Sequence, residues 1–263
     1  MRLLLAVAVL ALSGLTHAAI KTEEIHYQST DGSKMIGYYA YDDAIKGPRP
    51  GVVVVHEFWG LNDYAKRRAR DLAGLGYSAL AIDMYGDGKN TEHPKDAMAF
   101  MQEALKDSAV ASARFQAGLD LLKKQPQTDP EKLAAIGYCF GGAVVLNAAR
   151  QGVPLAGVVS FHGALATNTP ATTGSVKAKI LVEHGAKDSM VTPQNVAAFK
   201  AEMDQAGADY RFVSLDNAKH GFTNPEADRL SHGDHGGPDI GYNKAADERS
   251  WADMQAFFKK IFS

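Results

Sequence analysis

The six consecutive residues Gly137-Tyr138-Cys139-Phe140-Gly141-Gly142 hold the only cysteine of the chain. A thiol becomes a nucleophile when it ionises, and a helix N-terminus favours that form through its partial positive charge and unpaired amides. Gly137-x-Cys139-x-Gly141 places small residues two before and two after the reactive side chain. That is the spacing of the sharp strand-to-helix turn called a nucleophile elbow. The amide of Phe140, one residue on, would face an oxyanion forming on a bound acyl group. The plain alternative is a small buried cysteine in a glycine-rich turn.

Such a nucleophile needs a base and a group to orient the base. Two downstream segments offer them: Ile180-Leu181-Val182-Glu183-His184-Gly185-Ala186-Lys187-Asp188, and Val213-Ser214-Leu215-Asp216-Asn217-Ala218-Lys219-His220. Each reads as a strand followed by a loop, one ending in Asp188 and the other in His220. A loop aspartate is commonly a turn residue and a lone loop histidine is commonly solvated. The shared order nucleophile, acid, histidine, each after a strand, is what favours a triad. His184 is the rival histidine and Asp216 the rival acid. Upstream, Val52 to Val55 runs into His56-Glu57-Phe58-Trp59-Gly60, where the Phe58 amide would be a second oxyanion donor. Glu57 would sit beside the thiol, and a carboxylate there opposes thiolate formation.

These residues need a scaffold that brings strand ends together. The unbroken run Gly51-Val52-Val53-Val54-Val55 is the pattern of a strand covered on both faces. Further strands are expected at 77–84, 133–138, 155–161, 180–184 and 210–215. Helices are expected over 61–75, through Phe115, Leu119 and Leu122, over 141–150 and 196–203, and at the C-terminus with Trp251, Met254, Phe258 and Ile261 on one face. Segments 23–30 and 34–41 flank Thr30-Asp31-Gly32-Ser33 as an antiparallel hairpin. Strands alternating with helices predict an α/β domain with a mainly parallel central sheet, helices on both faces and that N-terminal hairpin.

With 263 residues, 46% of them hydrophobic, the chain suffices for one domain with a large core. A net charge of −2 with interspersed signs and no basic block makes nucleic acid and anionic membrane poor partners. Met1-Arg2, the apolar run Leu3 to Leu12 and small residues up to Ala18 read as a secretory signal, too short to span a bilayer. The expectation is a signal peptide over 1–18 and a mature domain over 19–263, exported to a periplasm or secreted. The His232 to His235 loop holds imidazole and carboxylate groups but no rigid scaffold, so it reads as surface, and no metal or cofactor is expected.

With those residues in view, the chain resembles the dienelactone hydrolase (carboxymethylenebutenolidase) family of α/β-hydrolases. The resemblance rests on Gly137 to Gly142 with cysteine in place of serine, on His56 to Gly60, and on Asp83-Met84-Tyr85, and it runs from about Tyr27 to the C-terminus. It implies an α/β-hydrolase fold with Cys139 as nucleophile, His220 as base, Asp188 as orienting acid, and the Phe58 and Phe140 amides as oxyanion donors. It also implies that Glu57 engages the resting thiol and takes part in its activation. Trp59, Tyr85, Asp87, Phe222 and Asn224 are the pocket candidates. At two positions where the best-known members hold a substrate carboxylate with arginine, this chain has Asp87 and Asn224; Lys89, Lys219 and Arg229 are the candidate substitutes.

The expected function is an exported hydrolase of small esters or lactones, a monomer or weak homo-oligomer, working through a thioester acyl-enzyme. Two other readings stand beside it. One is a redox-responsive single-thiol protein, which lacks a second cysteine to resolve a sulfenic acid. The other is a ligand-binding module that kept the fold.

Overall fold

A computed structural model describes residues 20–231 and 238–263. The expected signal peptide and the His232 to His235 loop therefore lie outside the described residues. In chain order the elements are β1 (Ile20–Gln28), β2 (Lys34–Asp42), β3 (Arg49–Val55), α1 (Asp63–Gly74), β4 (Ser78–Ile82), α2 (Pro94–Leu105) and α3 (Ser108–Lys123). There follow β5 (Thr128–Tyr138), α4 (Phe140–Arg150), β6 (Gly157–Phe161), β7 (Lys179–Gly185), α5 (Pro193–Ala206), β8 (Tyr210–Leu215), α6 (Ala227–Ser231) and α7 (Lys244–Ile261).

The strands form one sheet in the order β1-β2-β4-β3-β5-β6-β7-β8. The β1–β2 and β2–β4 pairings are antiparallel and the rest parallel, so the expected hairpin forms one edge. Alternation along each strand sends side chains to opposite faces. Val52, Val54, Ala79, Ala81, Ala134 and Ile136 pack under α1 and α7, against Leu72, Met254 and Phe258. Val53, Val55, Leu80, Ile82, Ala135 and Val158 pack under α2 to α5, against Phe115, Leu119, Val145 and Phe199. Both faces are covered, and that is why the central strands read as apolar runs without alternation.

The helices begin where side-chain caps allow. Asn62, Asp107, Thr192 and Asn243 each accept an amide hydrogen bond from the first turn of α1, α3, α5 and α7. Helices α2 and α6 were not anticipated. The first does carry an apolar period, Ala97, Phe100, Met101 and Ala104, of which only the two alanines are fully buried, and the second is a five-residue turn too short to show one. The C-terminal ends of β3, β5, β7 and β8 lie at one edge of the sheet. From that edge emerge the loops carrying Glu57, Cys139, Asp188 and His220. Among the described residues no helix is long and apolar enough to cross a membrane.

Candidate active site

Cys139 sits between β5 and α4 with φ +53° and ψ −114°, a left-handed conformation that a residue with a Cβ rarely adopts. Neighbouring backbone holds it there. The Cys139 amide donates to the Phe161 carbonyl at 3.0 Å, and the Gly141 amide donates to the His56 carbonyl at 3.1 Å. The glycines are required by close approach. A Cβ on Gly137 would lie 2.0 Å from the Gly141 carbonyl oxygen, and one on Gly141 would lie 2.3 Å from the Val55 carbonyl oxygen. The turn raises the thiol to a partly exposed position. Phe140 opens α4, so its amide has no partner within the helix.

His220 follows β8 and Asp188 follows β7, and the parallel pairing of those strands brings the two loops together. His220 Nδ1 and Asp188 Oδ2 are 2.8 Å apart, both residues buried. The other carboxylate oxygen accepts the amides of Met190 at 2.9 Å and Val191 at 3.1 Å, which fixes the acid. His220 Nε2 is buried and makes no well-aligned hydrogen bond among the described residues. The Cys139 side chain is close enough to act on that ring. Burial alone would lower the His220 pKa, but the charge Cys139 carries when ionised, together with Asp188, raises it to about 10. The rivals do not take these roles: His184, though near Asp188 and His220, packs on Phe212, and Asp216 is exposed.

Glu57 is almost fully buried, and burial raises its pKa to about 7 against the opposing pull of Asn224, His220 and Arg68. Its hydrogen-bond partner is Asn224, whose Nδ2 donates to Glu57 Oε2 at 2.6 Å. Phe58 and Trp59 follow, their rings 4.2 Å apart. The Tyr85 hydroxyl donates to the Phe58 carbonyl at 3.0 Å, and its ring packs on His56 and Phe140, so Tyr85 braces the loop that carries the Phe58 amide. His56 ties β3 to β4: its Nε2 accepts the Met84 amide, which leaves Nδ1–H to donate to the Glu57 carbonyl.

The remaining pocket candidates separate. Trp59 and Asn224 line a polar pocket of about 500 Å³ that also includes Asn62, Asp63, Glu92 and Arg229. Asp87 is exposed on a left-handed turn, its amide on the Lys34 carbonyl. Phe222 lies fully buried beneath the His220 loop, packed with Leu215, Ala218 and Ala246, so it supports the loop from below. A larger groove of about 930 Å³ runs between α3 and α4 but includes neither Cys139 nor His220.

One part of the neighbourhood went unread in the sequence. His162, fully buried with φ +41°, has its ring centroid 5.1 Å from that of His220. His162 Nε2 is 2.8 Å from Thr223 Oγ1, which is 2.6 Å from the Tyr64 hydroxyl. Arg68 continues the chain by donating to Tyr64, to the Thr223 carbonyl and to Asp247. Burial, with His220 and Arg68 nearby, holds the His162 pKa well below the ordinary value, so its ring is neutral. The only hint in the sequence was a polar pair, Thr223-Asn224, directly after the apolar Phe222.

The family model for dienelactone hydrolases matches residues 35–262. The chain belongs to the dienelactone hydrolase family. It is 28% identical over 238 residues to protein usf of Aquifex pyrophilus, covering 89% of this chain and 96% of that one. It is 30% identical over 208 residues to a probable 2-oxo-3-(5-oxofuran-2-ylidene)propanoate lactonase of Bradyrhizobium, covering 73% and 81%. A dienelactone hydrolase-like promiscuous phosphotriesterase from metagenomic libraries has a crystal structure 40% identical to it, with a TM-score of 0.85 over 93% of this chain and all of the other. The fold is that of the α/β-hydrolases, and the family makes the protein a hydrolase.

Proposed function

We propose that this protein hydrolyses small carboxylic esters or lactones through Cys139, His220 and Asp188, by way of a thioester acyl-enzyme. The observation that carries the reading is His220, held by Asp188 on one ring nitrogen while its ring lies against the strained turn of Cys139. The sulfur attacks the acyl carbon while His220 Nε2 holds the thiol proton. The tetrahedral oxyanion forms between the amides of Phe58 and Phe140. As the C–O bond breaks, the imidazolium gives its proton to the leaving alkoxide. Water then attacks the thioester carbon and passes a proton to His220, and the C–S bond breaks as the thiol regains that proton. The products are a carboxylic acid and an alcohol, or a hydroxy acid from a lactone. Residues 1–18 would be removed on export, which sequencing the N-terminus of protein recovered from a periplasmic fraction would test.

The deciding experiment is turnover of a small aryl ester and a lactone by residues 19–263, with Cys139→Ala and His220→Ala beside it and mass spectrometry for an acyl adduct. Activity lost in both variants, with an adduct on Cys139 in the parent, is the expected result. Turnover that survives Cys139→Ala overturns the nucleophile assignment. Absence of any turnover moves the weight to a redox thiol or a binding module.

A further inference from the structure

We infer that the acyl side of this site takes an uncharged group, and that Glu57, held in place by Asn224, rejects acyl groups bearing a carboxylate. The inference rests on the hydrolase reading above and adds to it the substrate class. Glu57 immediately precedes Phe58, Asn224 lies four residues beyond His220, and the Glu57 carboxylate is close enough to His220 for the two charges to interact, so the pair belongs to the neighbourhood of the triad. Both side chains are buried, and the 2.6 Å hydrogen bond between them occupies the amide donor of Asn224.

An anionic acyl group would need a cation to offset Glu57, and the cations that line the Asn224 pocket or act on Glu57 are engaged, Lys66 among them with Glu24 at 3.8 Å. Arg68 is buried and bonded to Asp247 and to the Thr223 carbonyl. Arg229 grips Glu92 with two nitrogens at 2.8 and 2.9 Å and Glu226 with a third at 2.8 Å. Lys219 pairs with Asp239 at 2.7 Å. Lys89 and Lys187 are exposed to solvent, where salt and water screen them. Residues 232–237 read His-Gly-Asp-His-Gly-Gly and supply no lysine or arginine. The His220 ring is bonded to Asp188 and faces Cys139, so its charge is already balanced within the triad. Glu57 is therefore a buried carboxylate with a neutral amide, not a cation, bonded to it, and burial leaves its charge poorly screened.

The test compares 4-nitrophenyl butyrate with 4-nitrophenyl hemisuccinate at pH 8, each rate divided by its rate with hydroxide so that intrinsic reactivity cancels. The parent should favour butyrate in kcat/KM by about 100-fold, the size expected for two like charges about 6 Å apart in a partly buried site. Glu57→Gln keeps the acceptor for Asn224 and should shrink that ratio at least about tenfold, the ratio being the readout because any change in thiol activation falls on both esters alike. Hemisuccinate turned over as fast as butyrate by a route that requires Cys139 overturns the inference and leaves the hydrolase reading intact. Failure of both esters to depend on Cys139 overturns the hydrolase reading and this one with it.

Discussion

Asp188 holds His220 with one carboxylate oxygen, 2.8 Å from Nδ1, and is itself held by two backbone amides on the other. The acid is thus oriented by its own loop, independently of the histidine. Asp188→Asn can keep the oxygen that meets the Met190 and Val191 amides, and then turns an amide nitrogen toward Nδ1. His220 can no longer donate from Nδ1, so Nε2 carries the proton and cannot accept one from the thiol. We expect kcat to fall about 10³- to 10⁴-fold with a melting temperature near that of the parent. A loss of activity that merely tracks unfolding would show the aspartate to be structural.

The elbow gives a second prediction. Gly141→Ala would press a methyl into the Val55 carbonyl and Gly137→Ala into the Gly141 carbonyl, neither of which can move without shifting β3 or α4. Both variants should lose several kcal/mol of stability, about 3 or more. Gly74→Ala is the control. It ends α1 in open space with nothing within 4 Å of the new carbon, and should stabilise by about 0.5–1 kcal/mol. Chemical denaturation of the three separates close approach from a general intolerance of alanine.

That contrast also explains what could be read in advance. Gly137, Cys139 and Gly141 are constrained by contacts within a few residues and by the strand beside them, so their spacing announces the turn. The β3 run Val52 to Val55 announces a doubly covered strand because both of its faces are buried. The partnership of Thr223 with Tyr64 spans 159 residues and that of Asn224 with Glu57 spans 167, so no local pattern records either. Phe222 looked like a pocket residue because it follows His220 closely. Its burial was set by the packing of the β8 loop on Ala246 of α7, which appears only once the chain is folded.

Glu57 gives a prediction in pH. Its pKa is about 7 in the folded protein and 4.5 ordinarily, so between those values the native state holds a proton that the unfolded state has released. The stability this contributes is fully present below about pH 4.5 and is lost as pH rises through 7. Glu57→Gln removes that dependence while keeping the hydrogen bond from Asn224. The variant should therefore gain about 3 kcal/mol over the parent at pH 8 and little or nothing at pH 4.5. Urea midpoints at the two pH values check it, and an equal shift at both would mean that the ionisation of Glu57 is not the cause. Glu183, also raised by burial, to about 8, with both carboxylate oxygens lacking a hydrogen-bond partner among the described residues, would add a parallel loss through pH 8 in both proteins and cancels from the difference.

Thr223 links the strained His162 to Tyr64, and through it to Arg68, all behind His220. Its hydroxyl can donate to one neighbour while accepting from the other, which satisfies two buried polar groups with a single atom. Thr223→Val fills the same space and leaves both without that partner, at a cost of about 1–3 kcal/mol for each group left unsatisfied. Because the His162 ring lies against that of His220, its release should also loosen the base, lowering kcat about tenfold with KM little changed. Thr223→Ser keeps the hydroxyl and should restore most of both. If serine restores stability but not kcat, the hydroxyl supports the fold without positioning His220; if valine matches the parent in both, the chain of hydrogen bonds contributes neither.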